Sequence, residues 1–394
     1  MRVLLLTPFV TGHFNGMIGV AERLLAGGAE VGWACMGLTD PSAAFTAIAS
    51  IGATPIRLEW PFPVLLEGKE AEGRSVDRRA RRFQRVTIEN EVVGTCLEII
   101  QGFEADVVAV DPAFYSGVIA SLLADVPYIC VHTNLCIVGP PSVVCERVEI
   151  DRVLDASRRA LFGRFDVPLP QFRRCESLSP HANSLWATTS FLRGIELPRG
   201  TRCVGPSIPL GRRPDQVDFD WGQLDDRPLV FASPGTVYDP PAPFFHALAA
   251  VCDRLGLQLV VVGQRLLDRA VSGRAISVAY APQLQMLERA SVFVTHGGAN
   301  SIMEGLYFGC PMLVAPLASD QPIQAHLVEQ NRVGRALDPY SAGEDRIEEA
   351  LRELVDPGPE LAARVAELQA DYRASDGAQA VAEWIGDLAE RRVH

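Results

Sequence analysis

The stretch SVFVTHGGANSIMEGLYFGCPMLVA, residues 291–315, combines two apolar runs with a helix-length segment between them. The runs at 292–295 and 312–315 predict buried strands, and residues 301–308 predict a short helix that ends before Gly309 and Pro311. Two strands joined through a helix indicate a parallel sheet, because parallel neighbours need a long crossover connection. The stretch therefore predicts an α/β fold.

The same alternation extends over both halves of the chain. In the first half the predicted strands are residues 2–7, 30–36, 54–58, 106–110 and 128–131. In the second half they are residues 229–232, 259–262, 276–278, 292–295 and 312–315. Apolar strands of this kind are covered on both faces by helices. We therefore predict two doubly wound, Rossmann-like domains that face a central cleft.

The length of 394 residues suits two domains of roughly 150 to 200 residues each. A turn-rich stretch separates the two series of strands. We predict an N-terminal domain at residues 1–205, a linker at 206–228 and a C-terminal domain at 229–374. Residues 375–394 have helical periodicity, and we expect this last helix to pack back on the N-terminal domain.

Charge and composition limit the classes of partner that this protein is expected to bind. The 48 acidic residues outnumber the 36 basic ones, so the net charge of −12 does not favour nucleic acid or an anionic membrane. Asp111 and Asp125 interrupt the longest apolar stretch, which excludes a membrane span there. The start, MRVLLLTPF, resembles a first strand more than a signal peptide. We expect a cytoplasmic protein that binds a small molecule; a homo-oligomer is compatible with the sequence.

The nine cysteines are scattered and none forms a CxxC pair, so the sequence predicts no zinc site and no disulfide framework.

The glycine-rich turn of the opening stretch suits a phosphate group. Glycines let the backbone approach an anion, and the first turn of a helix offers free amide groups and a favourable dipole. His296, Asn300 and Ser301 are candidate additional donors. Alternatively, Ser301 and Glu304 form a capping box that only starts the helix.

The glycine-rich turn is one of three neighbouring motifs that together resemble a known signature. YAPQ stands at residues 280–283, H-x-G-x-N-S-x-x-E at 296–304, and DQP at 320–322. Together they resemble the nucleotide-sugar signature of the family 1 glycosyltransferases, including bacterial enzymes that glycosylate antibiotics and other natural products. Over the whole chain the resemblance is weaker and implies the two-domain architecture called GT-B.

The resemblance implies a role for each position of the signature. Tyr280 stands where the family usually has a tryptophan stacked on the base, and this departure leaves the base, uracil or thymine, open. A UDP-sugar is expected over a dTDP-sugar. The other implied contacts are Gln283 and Glu304 with the ribose, His296, Gly298, Asn300 and Ser301 with the diphosphate, and Asp320 and Gln321 with the sugar. Asp320 also suits the N-cap of a helix with Pro322 in its first turn.

The segment FASPGTV contains Ser233 and Thr236 and resembles a family loop near the phosphates and sugar; taken alone, SPGT is a turn. No GxGxxG motif follows the first strand of either half, which disfavours a dehydrogenase.

His13 and Asp111 are the candidate catalytic residues. His13 lies in the loop PFVTGHFNG after the first strand, before a helix predicted to begin near Gly16. Histidine suits a general base because it titrates near neutrality. The resemblance implies that His13 is that base and that Asp111, at the end of another strand, is its partner. The alternatives are a loop or capping role for His13 and a helix cap for Asp111.

The implied reaction is inverting, metal-independent transfer of a hexose, with glucose from UDP-glucose expected, to a hydroxyl of a lipophilic small molecule. No prosthetic group is expected. Three alternatives remain: a dTDP-deoxysugar-dependent antibiotic glycosyltransferase, a nucleotide-sugar epimerase of the same architecture and a non-catalytic nucleotide-sugar binding protein. The presence of both His13 and Asp111 argues against the last of these.

Apolar segments at residues 58–68 and 132–146 either line an acceptor pocket or cover the core. His132 is a further candidate for acceptor contact. Six arginines at residues 74–85 predict a basic helix, which is either a solvated face or a contact for an anionic acceptor or membrane surface.

Overall fold

The computed structural model describes residues 1–8, 11–36, 42–58, 76–211, 213, 217–235, 238, 240–263 and 275–393. The chain divides into two compact units. The first unit comprises Met1–Ala187, Gly194–Pro214 and Asp376–His394, and the second comprises Thr188–Arg193 and Asp215–Ser375.

The first unit contains nine of the described strands and the first six helices. The strands are β1 (Arg2–Pro8), β2 (Glu30–Met36), β3 (Thr54–Arg57), β4 (Val107–Val110), β5 (Tyr128–His132), β6 (Gln171–Arg173), β7 (Glu176–Leu178), β8 (Ala182–Leu185) and β9 (Thr201–Cys203). The helices are α1 (Thr11–Ala26), α2 (Ser42–Ser50), α3 (Val76–Gln84), α4 (Val93–Gly102), α5 (Tyr115–Leu123) and α6 (Glu146–Arg164).

The second unit contains the remaining strands. These are β10 (Leu229–Ser233), β11 (Gln258–Val262), β12 (Ile276–Val278), β13 (Val292–Thr295), β14 (Met312–Val314) and β15 (Gly334–Ala336). Its helices are α7 (Ala242–Arg254), α8 (Gln283–Leu287), α9 (Ala299–Phe308), α10 (Gln321–Gln330), α11 (Glu344–Val355) and α12 (Pro359–Arg373). The last helix, α13 (Gly377–Val393), belongs to the first unit.

Both main sheets are parallel. In the first unit the strand order is β3-β2-β1-β4-β5-β8-β9, and in the second it is β12-β11-β10-β13-β14-β15. The doubly wound α/β architecture predicted from the alternating pattern is confirmed. The ten predicted strands all form, with ends that differ by at most one residue. Strands β6 to β9 and β15 were not predicted, because these three- and four-residue segments have no apolar run of their own.

Helices cover the sheet of the first unit on both faces. Residues Val3–Leu6 of β1 are all fully buried, which is typical of a parallel strand between two helical layers. Leu4 and Leu6 join one core cluster with side chains from α3 to α6. Helix α13 packs against α1 and β4.

The core of the second unit is also built from alternating strand residues. Val230, Ala232 and Val294 pack with the apolar faces of α7 and α11. Phe231 and Phe293 are neighbours in the register of β10 and β13, and their rings stack with centroids 5.5 Å apart. No helix among the described residues combines the length and apolarity needed to span a bilayer.

Each sheet has one point at which the strand order reverses. In the first unit this point lies between β1 and β4, and in the second it lies between β10 and β13. The crossovers leave such a point toward opposite sides, which opens a crevice at the carboxyl ends of the two strands. The loops after these four strands are therefore where ligands are expected to bind.

Candidate active site

His13 and Asp111 meet at the reversal point of the first sheet. His13 lies in the first turn of α1, and Asp111 directly follows β4. The distance from His13 Nδ1 to Asp111 Oδ2 is 2.5 Å. Helix α1 begins at Thr11, so the prediction of a start near Gly16 is wrong. Asp111 also accepts a hydrogen bond from the amide of Ala113 at 3.0 Å through Oδ1, so its two oxygens serve the turn and the histidine separately.

Burial and charge act in opposite directions on this pair. Burial acts to lower the pKa of His13, but the charge and hydrogen bond of Asp111 outweigh it, so the pKa lies above its ordinary value. Burial acts to raise the pKa of Asp111, whereas His13 and the amide of Ala113 bring it below its ordinary value. The imidazole retains 24% side-chain exposure and the carboxylate 1%. The histidine is therefore accessible to a substrate, whereas its partner is enclosed.

The turn after β5 adds a third group to this pair. Thr133 Oγ1 lies 2.9 Å from His13 Nδ1. His132, the further candidate for acceptor contact, is buried. Its Nδ1 lies 2.6 Å from Glu176 Oε2, so a carboxylate of the same unit already binds this nitrogen. Sequence reasoning missed Thr133 and Glu176. Thr133 follows a parallel strand as Asp111 does, and this signal was sufficient to find it.

The glycine-rich turn lies at the reversal point of the second sheet. Helix α9 begins at Ala299 with Gly298 as its N-cap, and no side chain makes a capping hydrogen bond there. Ser301 is thus already inside the helix, and the capping box with Glu304 does not form. Ser301 and Glu304 are both buried. The amide groups of the first turn of α9 follow shortly after His296 in the chain, which is where a phosphate site would use them.

His296 is enclosed by two glycines. A Cβ atom added at Gly235 would lie 2.6 Å from the imidazole, and one added at Gly298 would lie 2.7 Å from Nε2. Burial lowers the pKa of His296 to about 4, although the nearby charge of Asp320 acts to raise it. The imidazole is therefore neutral at physiological pH, and its single N–H has a backbone partner at Ser233.

Gln283 and Glu304 lie together. Gln283 is the first residue of α8, and its Nε2 donates a hydrogen bond to Glu304 Oε2 at 2.5 Å. Tyr280, three residues earlier in the chain, is 66% exposed. An exposed ring three residues before the glutamine that binds this buried carboxylate suits a nucleoside, whose base stacks on an aromatic face while its ribose hydroxyls donate to a carboxylate.

Asp320 and Gln321 begin helix α10. Asp320 is at the N-cap, as the structural alternative predicted, but its carboxylate accepts from Gln324 Nε2 rather than from the helix backbone. Gln321 is buried, and its Oε1 accepts hydrogen bonds from the amides of Leu317 and Ala318 at 2.7 and 2.9 Å. This amide therefore also shapes the loop before α10.

Ser233 ends β10 and is in register with Thr295 of β13, the residue before His296. Thr236 and residues 59–75, which contain most of one predicted acceptor segment, lie outside the described residues. Asn300 lies in the first turn of α9. Within the described part of the chain, no group of three or more His, Cys, Asp or Glu side chains is placed to hold a metal ion.

Comparisons with known proteins agree with this geometry. A family model described as UDP-glucoronosyl and UDP-glucosyl transferase matches residues 264–371, which contain the signature from Tyr280 to Gln321. The uncharacterized UDP-glucosyltransferase YojK of Bacillus subtilis (strain 168) is 32% identical over 48% of this chain and 47% of its own length. The chain thus spans about half the length of the curated relatives it matches at about 30% identity.

Two further matches extend over nearly the whole chain. 4'-Demethylrebeccamycin synthase of Lentzea aerocolonigenes is 25% identical, with 95% of this chain and 96% of the relative covered. The crystal structure of the glycotransferase of kitacinnamycin has a TM-score of 0.78 at 22% identity, and the match covers 98% of this chain and 99% of that one. The fold is therefore that of the GT-B glycosyltransferases. The family model and these relatives confirm that the signature of this chain resembles that of the family 1 glycosyltransferases.

Proposed function

We propose that this protein is an inverting glycosyltransferase that moves a hexose, glucose from UDP-glucose, to a hydroxyl of a lipophilic natural product. The observation that carries the proposal is the His13–Asp111 pair, in which Nδ1 and Oδ2 lie 2.5 Å apart at a sheet reversal point. A histidine held by a buried carboxylate is the arrangement that general-base catalysis requires. The rebeccamycin and kitacinnamycin relatives support a natural product as acceptor.

His13 acts on the acceptor. Its Nδ1 faces Asp111, which leaves Nε2 to take the proton of the acceptor hydroxyl. As that proton moves to Nε2, the oxygen attacks the anomeric carbon from the side opposite the nucleotide. Asp111 stabilises the imidazolium that forms. Single displacement converts an α-linked donor into a β-glycoside.

The second unit binds the donor and stabilises its leaving group. The bond between the anomeric carbon and the phosphate oxygen breaks, and the nucleoside diphosphate leaves with the electron pair. The negative charge that develops is met by the amide groups at the start of α9. These groups act without a metal, so we expect a chelator to leave the rate unchanged.

A second candidate is a transferase that uses a dTDP-deoxysugar. Tyr280 stands where the family usually has the tryptophan that stacks on uracil, and this departure leaves thymine open as the base. Asp320 and Gln321 favour a donor with a full set of sugar hydroxyls. We therefore rank UDP-glucose first.

Replacing His13 with alanine tests the base. We expect His13→Ala to abolish transfer while the Kd for UDP stays within about twofold of wild type, because the proposed nucleotide contacts all lie in the second unit. Product formation would be followed by mass spectrometry and UDP binding by calorimetry. Near-normal turnover of this variant would remove His13 as the base.

Calorimetric titration without added metal tests the donor class. The wild-type protein would be titrated with UDP, dTDP, UDP-glucose and NAD. Micromolar binding of UDP and UDP-glucose supports the first candidate, and preferential binding of dTDP supports the second. Binding of NAD alone, or of none of the four, would contradict both.

A further inference from the structure

The turn after β5 contains three consecutive buried polar side chains. His132, Thr133 and Asn134 are only 1%, 7% and 6% exposed. Burying a polar group costs free energy unless it has a hydrogen-bond partner, so three in succession indicate a built arrangement. Each of the three has a defined partner.

Thr133 contacts the proposed catalytic base. Its Oγ1 lies 2.9 Å from His13 Nδ1, the nitrogen that is also 2.5 Å from Asp111 Oδ2. A ring nitrogen beside a carboxylate carries the proton, and the threonine hydroxyl is then its second acceptor. Because neutral imidazole has a single N–H, two acceptors at Nδ1 leave the lone pair on Nε2. Thr133 thus favours the tautomer in which Nε2 is the base.

Glu176 holds the two residues that flank Thr133. Its Oε2 lies 2.6 Å from His132 Nδ1, and its Oε1 accepts a hydrogen bond from Asn134 Nδ2. Asn134 Oδ1 in turn accepts from the amide of Cys136 at 2.7 Å. Glu176 is the first residue of β7 and is 1% exposed. One enclosed carboxylate therefore ties both sides of the turn to the β6–β7 ribbon.

We propose that residues 132–134 and Glu176 form a positioning element for the catalytic base. Glu176 holds the turn, and Thr133 acts with Asp111 to keep the proton of His13 on Nδ1. These residues touch His13 or each other and not the reacting atoms, so they are positioning residues. The inference rests on the proposed function, because it requires His13 to be the base.

The charges that face His13 come from three elements. Asp111 follows β4, Arg147 lies in α6 and Glu176 lies in β7. Asp111 and Glu176 raise the pKa of His13, whereas Arg147 and burial lower it. Removing the charge of Glu176 should therefore move the ascending limb of the activity profile to lower pH. Removing the hydroxyl of Thr133 changes no charge and should leave the limb in place.

Thr133→Val tests the hydroxyl, because valine keeps the branched shape. We expect kcat/KM to fall about tenfold or more, since misplacing a catalytic group by a fraction of an ångström is costly. The Kd for UDP should not change, and Thr133→Ser should restore most of the activity. Thr87→Val is the matched control: Thr87 is also 7% exposed in the same unit, but its hydroxyl donates to the carbonyl of Phe83.

Two outcomes would overturn the proposal. If Thr133→Val is as active as Thr87→Val, the hydroxyl does not position the base. If Glu176→Gln folds and its pH limb does not move, the part that concerns Glu176 is wrong. His13→Ala separates these failures from a failure of the proposed function. When that variant is inactive and Thr133→Val is normal, only the positioning element is rejected; when His13→Ala remains active, the base assignment itself is rejected.

Discussion

His13 gains its chemical character from a carboxylate 98 residues away in the chain. Neither residue is unusual by itself, since a histidine in a loop and an aspartate after a strand both have ordinary structural uses. Asp111 retains one of those uses, because its Oδ1 still accepts from the turn amide of Ala113. The catalytic proposal depends on the other oxygen, which only the fold brings to His13.

Asp111→Asn should change the pH dependence of transfer in a defined direction. A base works when it is unprotonated, so activity rises as pH passes through the pKa of His13, which Asp111 holds above its ordinary value. Asparagine keeps the shape but removes the charge, and burial then lowers that pKa. We expect the ascending limb of kcat/KM to move to lower pH, with a plateau reduced roughly 10² to 10⁴-fold.

Asp106→Asn is the control for this change, because Asp106 precedes β4 at the opposite end of the strand and accepts from the backbone amide of Arg2. Its profile should keep the wild-type midpoint. A midpoint that stays in place in Asp111→Asn would show that the carboxylate does not set the protonation of His13.

At the scale of elements, the turn between β13 and α9 combines close packing with an open helix end. Gly297 has a φ of 87°, a conformation that glycine adopts without strain, and a Cβ there would lie 2.8 Å from Val314 Cγ1. Gly298 has dihedral angles that any residue can adopt, so its backbone conformation does not require glycine. A side chain at this position would displace His296 from the start of the helix.

Gly298→Ala should therefore weaken nucleotide binding without unfolding the second unit. The added methyl group would meet His296 Nε2 at 2.7 Å, and the imidazole would have to move. We expect the Kd for UDP to rise about tenfold or more, since one hydrogen bond to a charged group contributes about 1.5 to 3 kcal/mol. Calorimetric titration measures this directly.

Gly343→Ala is the matched control for the element-scale prediction. Gly343 is also a helix N-cap in the second unit, and a Cβ atom there would meet nothing within 4 Å. Each variant replaces an N-cap glycine with alanine, so the loss of N-cap preference is comparable in the two. Equal UDP affinities in the two variants would contradict the role given to the glycine beside His296.

At the scale of the whole molecule, the chain returns to its first unit with its last helix. The buried positions of α13 recur at helical spacing and pack toward α1 and β4. They are Ala378, Val381, Ala382, Ile385, Leu388 and Ala389. At the start of this helix, a Cβ at Gly377 would lie 2.5 Å from the carbonyl oxygen of Gly205, so the approach there requires glycine.

Ile385→Ala should destabilise the first unit selectively. The side chain is fully buried, and truncating such a residue costs about 2 to 5 kcal/mol of unfolding free energy. Hydrogen exchange would measure the loss unit by unit, with faster exchange in β1 and β4 and unchanged exchange in β10 and β13. Asp387→Ala, at an exposed position of the same helix, should match wild type. Faster exchange in the second unit instead would contradict this assignment.

The sequence alone determined ten of the strands, the fold class and the donor signature of this protein. Strand-forming runs such as residues 292–295 can be recognised from the sequence, because burial on both faces of a sheet requires continuous apolar residues. The signature from Tyr280 to Gln321 can be recognised from the sequence, because its residues lie close together in the chain. Local patterns also predicted the end of α9, where Gly309 adopts a φ of 71°.

Tertiary structure decided what local patterns leave open. Strands β8, β9 and β15 exist only through pairing with a neighbouring strand, since their own residues carry no strand signal. Ser301 and Glu304 read equally well as a capping box, and only the helix start at Ala299 excludes that reading. Thr133 had a positional signal at the end of β5, but Glu176 was identified only by its contact with His132. The strand pairs and the contact of Glu176 share one physical reason: a hydrogen bond between residues distant in sequence leaves no periodic trace in either segment.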